Sequence, residues 1–141
     1  MINLPIMSYV GAGPIRFGMT AAEVRRVVGT AYSTFKKTAA SKMLTDAFHS
    51  EGIHVYYKEP GVCEAIEFGK PSRPTFRGTE MLGKPYDEVR AFLTTLDQEV
   101  EEDGAGLIAF SLGLGVYAPS AAKDVKLPVE GVSVFEKGYY E

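Results

Sequence analysis

The stretch "GPIRFGMTAAEVRRVVGTAY", residues 13–32, combines a strand pattern with the start of a helix. Ile15 and Phe17 flank a charged residue, and this alternation of period two is typical of a short, half-buried strand. Thr20 and Glu23 have the spacing of a capping box, in which each side chain accepts a hydrogen bond from the other residue's backbone N–H. The sequence therefore predicts a strand, a break and a helix that begins after Thr20.

The end and the buried face of this helix are also predicted. Three valines fall on one side of it: Val24, Val27 and Val28. Arg25 and Arg26 are expected to point away from that side. Gly29 stands where a left-handed residue commonly ends a helix. A helix of about three turns is marginal alone, so we expect it to pack on a sheet.

A weaker copy of the same phrase occurs later as "LGKPYDEVRAFLTTL", residues 82–96. Gly83 corresponds to Gly18, and Pro85 takes a first-turn position in a second helix. The segments after the two helices also match in pairs: 46–50 with 108–112, 52–58 with 113–119, and 62–70 with 128–138. Each helix is thus predicted to precede about three strands.

These patterns predict an α+β fold formed by tandem duplication of one helix plus a three-stranded antiparallel unit. The units are residues 13–70 and 78–140, joined by a Pro- and Gly-rich connector at 69–78, within a single domain, 1–141. We expect one mostly antiparallel sheet of about six strands, with both helices on one face and the other face partly wet. Residues 30–45 fit either a continuation of the first helix or a loop.

Composition and charge exclude several classes of protein. The 141 residues carry a net charge of −3, which disfavours nucleic-acid binding. The charge is uneven, because residues 71–141 hold 7 basic and 12 acidic side chains. The N-terminus lacks a basic region typical of a signal peptide, and no apolar run approaches the roughly 20 residues of a membrane span. We expect a cytoplasmic protein that contacts no membrane.

The sequence offers no pattern of a catalytic or metal site. His49 and His54 lie five residues apart, so on a continuous strand they would face opposite ways. Glu64 and Glu67 are candidate acid–base carboxylates, although a solvated sheet face also explains them. The lone Cys63 lies in a strand pattern that is typical of an inert thiol. We therefore expect no catalytic residue, no metal and no cofactor.

Two features suggest contact with another protein. The run "DQEVEEDG", residues 97–104, is predicted to be a loop or a helix end, and either a solvated loop or a site for a basic partner explains its charge. Tyrosines on a wet sheet face suit interfaces, and in a strand pair one ring should face the core and the other the solvent. The predicted partner-binding residues are Tyr56, Tyr57, Asp97, Glu99, Glu101, Glu102 and Asp103.

The phrase "IRFGMTAAEVRRVVG" resembles the helix-opening G-M-T-x-x-E-V phrase of the BamE and beta-lactamase-inhibitor-protein-like fold. The matching positions are Gly18, Met19, Thr20, Glu23, Val24 and Gly29. In that group, tandem units build a curved sheet that binds other proteins. The wider layout, with "GIHVYY", "EAIEFG" and "GLGVYAP", resembles small cytosolic immunity proteins encoded beside bacterial polymorphic toxins, which implies a stoichiometric toxin inhibitor.

We therefore expect a non-catalytic protein-binding module, namely an immunity protein that neutralises a cognate toxin by occluding its active site or substrate surface. A small-molecule-binding protein or hydrolase, with a pocket between sheet and helices, is the alternative. A third possibility is self-association, in which exposed strand edges pair two copies of the chain into a homodimer.

Overall fold

An eight-stranded antiparallel sheet dominates the α+β fold of the computed structural model, which describes residues 2–140. Two helices accompany it, α1 (Ala21–Val28) and α2 (Tyr86–Leu96), and Pro119–Ala122 form a short 3₁₀ turn. The strands are β1 (Ile6–Met7), β2 (Gly11–Ala12), β3 (Ile15–Arg16), β4 (Ser33–Phe35), β5 (Thr45–Phe48), β6 (Ile53–Lys58), β7 (Val62–Phe68), β8 (Thr75–Phe76), β9 (Thr79–Glu80), β10 (Val100–Asp103), β11 (Gly106–Ala109), β12 (Leu114–Tyr117) and β13 (Gly131–Phe135).

The large sheet consists of two four-stranded meanders that meet at its centre. Its spatial order is β10-β11-β12-β13-β7-β6-β5-β4, and β13 pairs antiparallel with β7. Strands β1–β3 form a small separate sheet, and β8 and β9 form a hairpin that begins within the predicted connector.

The predicted strand count is wrong, because each helix precedes four strands of the large sheet rather than three and that sheet has eight strands rather than six. The additional strands lie at the two edges. Residues 33–35 form β4, although residues 30–45 were predicted to be either a continuation of α1 or a loop. Residues 100–103, in the acidic run, form β10 by pairing with β11 across a tight turn at Gly104. Edge strands are paired on one side only, so their sequences show the strand pattern weakly.

The capping predictions for α1 are confirmed. Thr20 Oγ1 accepts a hydrogen bond from the Glu23 N–H at 3.2 Å, and Glu23 Oε1 accepts one from the Thr20 N–H at 3.1 Å. Gly29 ends the helix with φ of 72°, in the left-handed region. Val24 and Val28 are buried, whereas Val27 is 37% exposed. Two of the three predicted valines thus form the packed stripe.

The orientation predicted for Arg25 is wrong, because its guanidinium reaches over the sheet to a buried carboxylate. Arg25 Nε and Nη2 donate to the two oxygens of Asp46 at 2.9 and 2.8 Å. Tyr57 donates its hydroxyl proton to Asp46 Oδ2 at 2.8 Å. The Asp46 side chain is 0% exposed, so these three bonds replace the water that the carboxylate loses on folding.

Helix α2 begins at Tyr86, so Pro85 is its N-cap rather than a first-turn residue. Tyr86, Val89 and Leu93 are buried on its inner side. The Tyr86 hydroxyl donates to Glu102 Oε1 at 3.2 Å, which attaches the helix to strand β10.

Both helices lie on the same face of the large sheet. One register row crosses all eight strands: Glu101, Ile108, Gly115, Ser133, Glu67, His54, Ala47 and Ser33. Asp46 and Glu102 each neighbour a member of that row, so they point to the opposite side. Since Arg25 of α1 holds Asp46 and Tyr86 of α2 holds Glu102, both helices cover that side. The core fills the space between, and the row itself faces away from the helices.

Candidate functional site on the open face

The side of the sheet opposite the helices, here called the open face, carries most of the exposed strand side chains. It is defined by the row of eight residues given above together with three neighbours on the same side, Tyr56, Asp103 and Tyr117. Tyr117 is 55% exposed, and the Glu67 side chain is 51% exposed. An open face of this width is available for contact with another molecule.

A cleft of about 520 Å³ lies on the open face, over the central strands. Its polar lining comes from the central strands and the segments that adjoin them: His49, His54, Glu67, Lys70, Tyr117, Glu130 and Ser133. Its volume falls within the range of about 300–1,000 Å³ that is usual for ligand pockets. The cleft therefore brings two imidazoles, two carboxylates and one ammonium group together.

Glycines in the central strands leave part of the sheet backbone near the cleft without covering side chains. Gly131 pairs with Tyr117, and a Cβ at Gly131 would lie 3.4 Å from the Tyr117 Cβ. Gly115 pairs with Ser133, and a Cβ there would lie only 2.9 Å from Ser133 Oγ. Glycine within a strand weakens it and often marks a close approach by another group. Here the missing side chains leave room beside the exposed Tyr117 ring.

One hydrogen bond and one longer polar contact orient the acidic side chain at the centre of the open face. The Tyr56 hydroxyl donates to Glu67 Oε2 at 3.3 Å, and His54 Nδ1 lies 3.8 Å from Glu67 Oε1. These contacts place the half-exposed Glu67 carboxylate at the wall of the cleft. Burial is the larger cause, and the negative charge of Glu67 the second, of a raised pKa at Tyr56. The hydroxyl therefore stays protonated and able to donate.

The two histidines share a face, contrary to prediction. A turn at residues 49–52 reverses the chain between them, so the alternation of a continuous strand does not apply. Their ring centroids are 6.3 Å apart, and His49 Nε2 lies 3.0 Å from Ser33 Oγ. Among residues 2–140 no group of three or more His, Cys, Asp or Glu side chains has the arrangement of a metal site.

A cluster of aromatic residues closes one end of the open face. Lys37 Nζ donates to the Tyr139 hydroxyl at 2.7 Å and lies 4.5 Å from the centre of the Tyr56 ring. Tyr139 stacks on Phe135 with ring centroids 5.9 Å apart, and Tyr140 meets Phe135 edge-on at 4.9 Å. The C-terminal segment thus covers Phe135, and the accessible part of the face lies towards the cleft.

The structure separates the two predicted tyrosines, as alternation along β6 requires. Tyr56 is partly exposed on the open face, whereas Tyr57 is buried among core residues and bonded to Asp46. Tyr57 is a core residue whose ring and hydroxyl are both occupied within the fold, which leaves Tyr56 as the member of the pair that a partner could reach.

The acidic run was predicted to be a loop or a helix end. Asp97 is the C-cap of α2, whereas residues 100–103 form edge strand β10 rather than a loop, so the members of the run have different roles. Asp97 is buried and accepts hydrogen bonds from the N–H groups of Glu99 at 2.7 Å and Ser111 at 2.8 Å. This structural role removes Asp97 from the candidate surface. Glu102 faces the helices and contacts Arg90 Nη1 at 3.3 Å.

The remaining acidic residues of the run are exposed. Glu101 and Asp103 lie on the open face, and Glu99 precedes the strand. Their charges also protect the sheet edge, since carboxylates on an edge strand discourage pairing with another sheet. The structure therefore gives these residues a protective role that is independent of any partner.

Sequence reasoning missed most of the cleft. None of its polar lining residues was predicted as partner-binding: His49, His54, Glu67, Lys70, Tyr117, Glu130 and Ser133. The alternation in "GLGVYAP" places Gly115 and Tyr117 on the same side of a strand, and the alternation of Tyr56 and Glu67 with buried neighbours points to the same face. The pairing of β13 with β7, which assembles the cleft, joins residues more than 60 positions apart and leaves no local pattern.

Comparison of the sequence with family models, and of the chain with curated proteins and solved structures, finds no significant match. No helix within residues 2–140 has the length and apolar character needed to cross a lipid bilayer.

Proposed function

We propose that this chain is a non-catalytic protein-binding module that uses the open face to bind a basic surface of another protein. Its specific role in this proposal is that of an immunity protein, which neutralises a bacterial toxin in the cytoplasm by occluding the toxin's active site or substrate surface. The observation that carries the proposal is the eight-stranded sheet with both helices on one side and a polar, aromatic-bearing face on the other.

The side chains of the open face suit a protein interface. Tyr117 and Tyr56 present large rings with few rotatable bonds, and aromatic residues of this kind often dominate binding energy. Tyr56 is already oriented by its hydrogen bond to Glu67 and by Lys37 against its ring, so binding costs less of its conformational entropy. A rigid sheet backbone beneath these rings favours a preformed interface.

The charge of the open face favours a basic partner. Glu67, Glu101 and Asp103 point outward from two of its strands, and Glu130 lies at the cleft. Lys70 is the cationic side chain of the cleft lining. A surplus of carboxylates accelerates association with a cationic surface and makes the rate sensitive to salt.

The tandem duplication predicted from the sequence remains part of the proposal in a revised form. Each half of the chain contains one helix and a four-stranded meander of the large sheet, and the last strands of both meanders pair at the centre. We infer that a helix-plus-meander unit was duplicated and that joining its copies edge to edge produced the broad open face. Superposition of the two halves tests this step.

Charge reversal on the open face tests the proposed function. The triple variant Glu67→Lys, Glu101→Lys, Asp103→Lys should lose a basic protein that the wild-type chain captures from the native cell lysate. A matched control, Glu59→Lys, Glu88→Lys, Asp124→Lys, changes the net charge equally at positions outside the open face and should retain it.

The toxicity of the captured protein, and its suppression by this chain, test the immunity role. Expressed alone it should arrest growth, and co-expression of the wild-type chain should restore growth, whereas the open-face variant should not. Equal capture by both triple variants would reject the open face as the interface. A captured protein that has no toxicity would reject the immunity role.

The alternative, a small-molecule-binding protein or hydrolase, has one observation in its favour, the Ser33–His49 contact at 3.0 Å beside the cleft. The cleft lies on the side away from the helices, so it is not the pocket between sheet and helices that the sequence suggested. Ser33 lies on an exposed edge strand, and the carboxylate of Glu67 contacts His54 rather than His49. A thermal shift by a metabolite, lost in Ser33→Ala, would favour this alternative.

A further inference from the structure

We propose that the cleft on the open face binds a guanidinium group, supplied by an arginine side chain of the protein partner. This inference rests on the proposed function, because it names the chemical group that the partner presents to the open face. Three properties of the cleft support it: its charge, the polar contacts that orient one carboxylate, and the shape of its floor.

The charge of the cleft favours a cation. Glu67 and Glu130 supply two carboxylates and Lys70 supplies one ammonium group, so the lining carries a surplus of negative charge when both imidazoles are counted as neutral. An incoming guanidinium group would give the carboxylates a further counter-charge in a partly enclosed site, where ion pairs are screened less than on an open surface.

One carboxylate already has two polar neighbours that orient it before any partner arrives. The Tyr56 hydroxyl and the His54 ring contact different oxygens of Glu67, at 3.3 and 3.8 Å. Each carboxylate oxygen has two lone pairs, so both oxygens can still accept further N–H donors. A carboxylate with both oxygens available matches the two parallel N–H groups of a guanidinium fork.

The floor and one wall favour a planar cation over a compact one. Gly131 leaves backbone uncovered beside the half-exposed Tyr117 ring, and Gly52 and Gly69 also line the cleft. A guanidinium plane stacks on an aromatic face, whereas an ammonium group is a compact, strongly hydrated point charge. Arginine is therefore expected to bind better than lysine.

Peptide titration followed by ¹H–¹⁵N NMR tests this assignment. The probes are three acetylated, amidated tripeptides, Gly-Arg-Gly, Gly-Lys-Gly and Gly-citrulline-Gly, of which the last has the shape of arginine without its charge. The arginine peptide should shift the amides of Gly69, Gly131 and Ser133 with saturation. The lysine peptide should bind several-fold more weakly, and the citrulline peptide should give no saturable shift.

Glu67→Gln should weaken binding of the arginine peptide roughly tenfold, as expected for loss of one charge-assisted contact. Glu59→Gln, at an exposed position outside the cleft, should leave it unchanged. Equal binding of the arginine and citrulline peptides would overturn the inference, as would unchanged affinity in Glu67→Gln or shifts confined to other regions.

Capture of the partner protein by the variants distinguishes failure of this inference from failure of the proposed function. If the open-face triple variant abolishes capture but Glu67→Gln with Glu130→Gln does not, the open face is the interface and the guanidinium site is refuted. If the arginine peptide binds the cleft but capture survives the triple variant, the cleft assignment stands and the proposed interface is refuted.

Discussion

Replacing Asp46 by asparagine should destabilise the fold more than any change to a surface ion pair. Asp46 is fully buried and accepts three hydrogen bonds, two from Arg25 and one from Tyr57. The asparagine side chain keeps the size of the original but has no charge, and its NH₂ group replaces one acceptor with a donor. Arg25 would then lose its counter-charge while remaining partly inside the protein.

The expected size of the effect depends on the exposure of the two partners. Removing one member of a buried ion pair costs about 3–5 kcal/mol. The Arg25 side chain is 34% exposed, so water can solvate part of the guanidinium group and the lower end of that range applies. We expect Asp46→Asn to lower the free energy of unfolding by about 3 kcal/mol. Tyr57→Phe removes one hydrogen bond to a buried carboxylate and should cost about 1.5–3 kcal/mol.

Urea unfolding followed by far-UV circular dichroism measures both changes, and it suits a chain without tryptophan. For a slope of about 2 kcal/mol per molar urea, Asp46→Asn should lower the midpoint by roughly 1.5 M. The matched control is Glu59→Gln, which removes a pair with Lys42 whose side chains are 64% and 79% exposed. That change should cost less than about 1 kcal/mol. Equal effects of the two carboxylate substitutions would refute the assignment of Asp46 as a buried anchor.

Three further predictions concern a turn, the cysteine and an edge strand. Gly52→Ala should lower the free energy of unfolding in urea by about 3 kcal/mol or more, because Gly52 has φ of 69° and a Cβ would overlap the Gly69 carbonyl oxygen. The control Gly78→Ala, at φ of 79° with open space around the Cβ, should cost only about 1 kcal/mol. Similar costs for the two substitutions would contradict the steric argument. Burial raises the pKa of the Cys63 thiol to about 12, so the native thiol keeps its proton while the unfolded thiol, with a pKa of about 8.5, loses it; the free energy of unfolding therefore falls as the pH rises from about 8.5 towards 12. Native protein should resist iodoacetamide at pH 8 and react once unfolded, and rapid native labelling would contradict this. Strand β4 (Ser33–Phe35) is an exposed sheet edge without charged residues. If two copies of the chain pair through this edge, Thr34→Lys should abolish the dimer seen by light scattering. A dimer that persists would exclude β4 as the dimer interface.

The sequence predicted the local features of the fold because those features depend on neighbours in the chain. The capping box at Thr20 and Glu23, the left-handed Gly29 and the alternation of Tyr56 and Tyr57 all involve contacts within a few residues. The general class, two helices with mostly antiparallel strands in an open sheet, is predictable from such patterns.

The errors occur where distant contacts decide the structure. Nothing near Arg25 in the chain indicates a carboxylate 21 positions away, so the prediction that it points outward was reasonable and wrong. The acidic residues 101–103 have low strand propensity, yet pairing with β11 and the bonds from Tyr86 and Arg90 to Glu102 hold them in a strand.

The candidate site was predictable only in part for the same reason. Glu67 and Tyr56 were noticed because each alternates with buried neighbours in its own strand. The cleft beside them depends on the pairing of β13 with β7 and on the turn that brings His49 next to His54. Register between strands from different halves of the chain cannot be read from either half alone.

Site-specific photo-cross-linking tests whether the open face contacts a protein partner. A benzophenone amino acid would replace Tyr117 on the open face or, as a control, the exposed Val27 of α1 on the helix side. In native cells the Tyr117 position should yield one discrete adduct with a basic protein, and the Val27 position should yield none. An adduct at Val27 with none at Tyr117 would show that the partner binds elsewhere on the molecule.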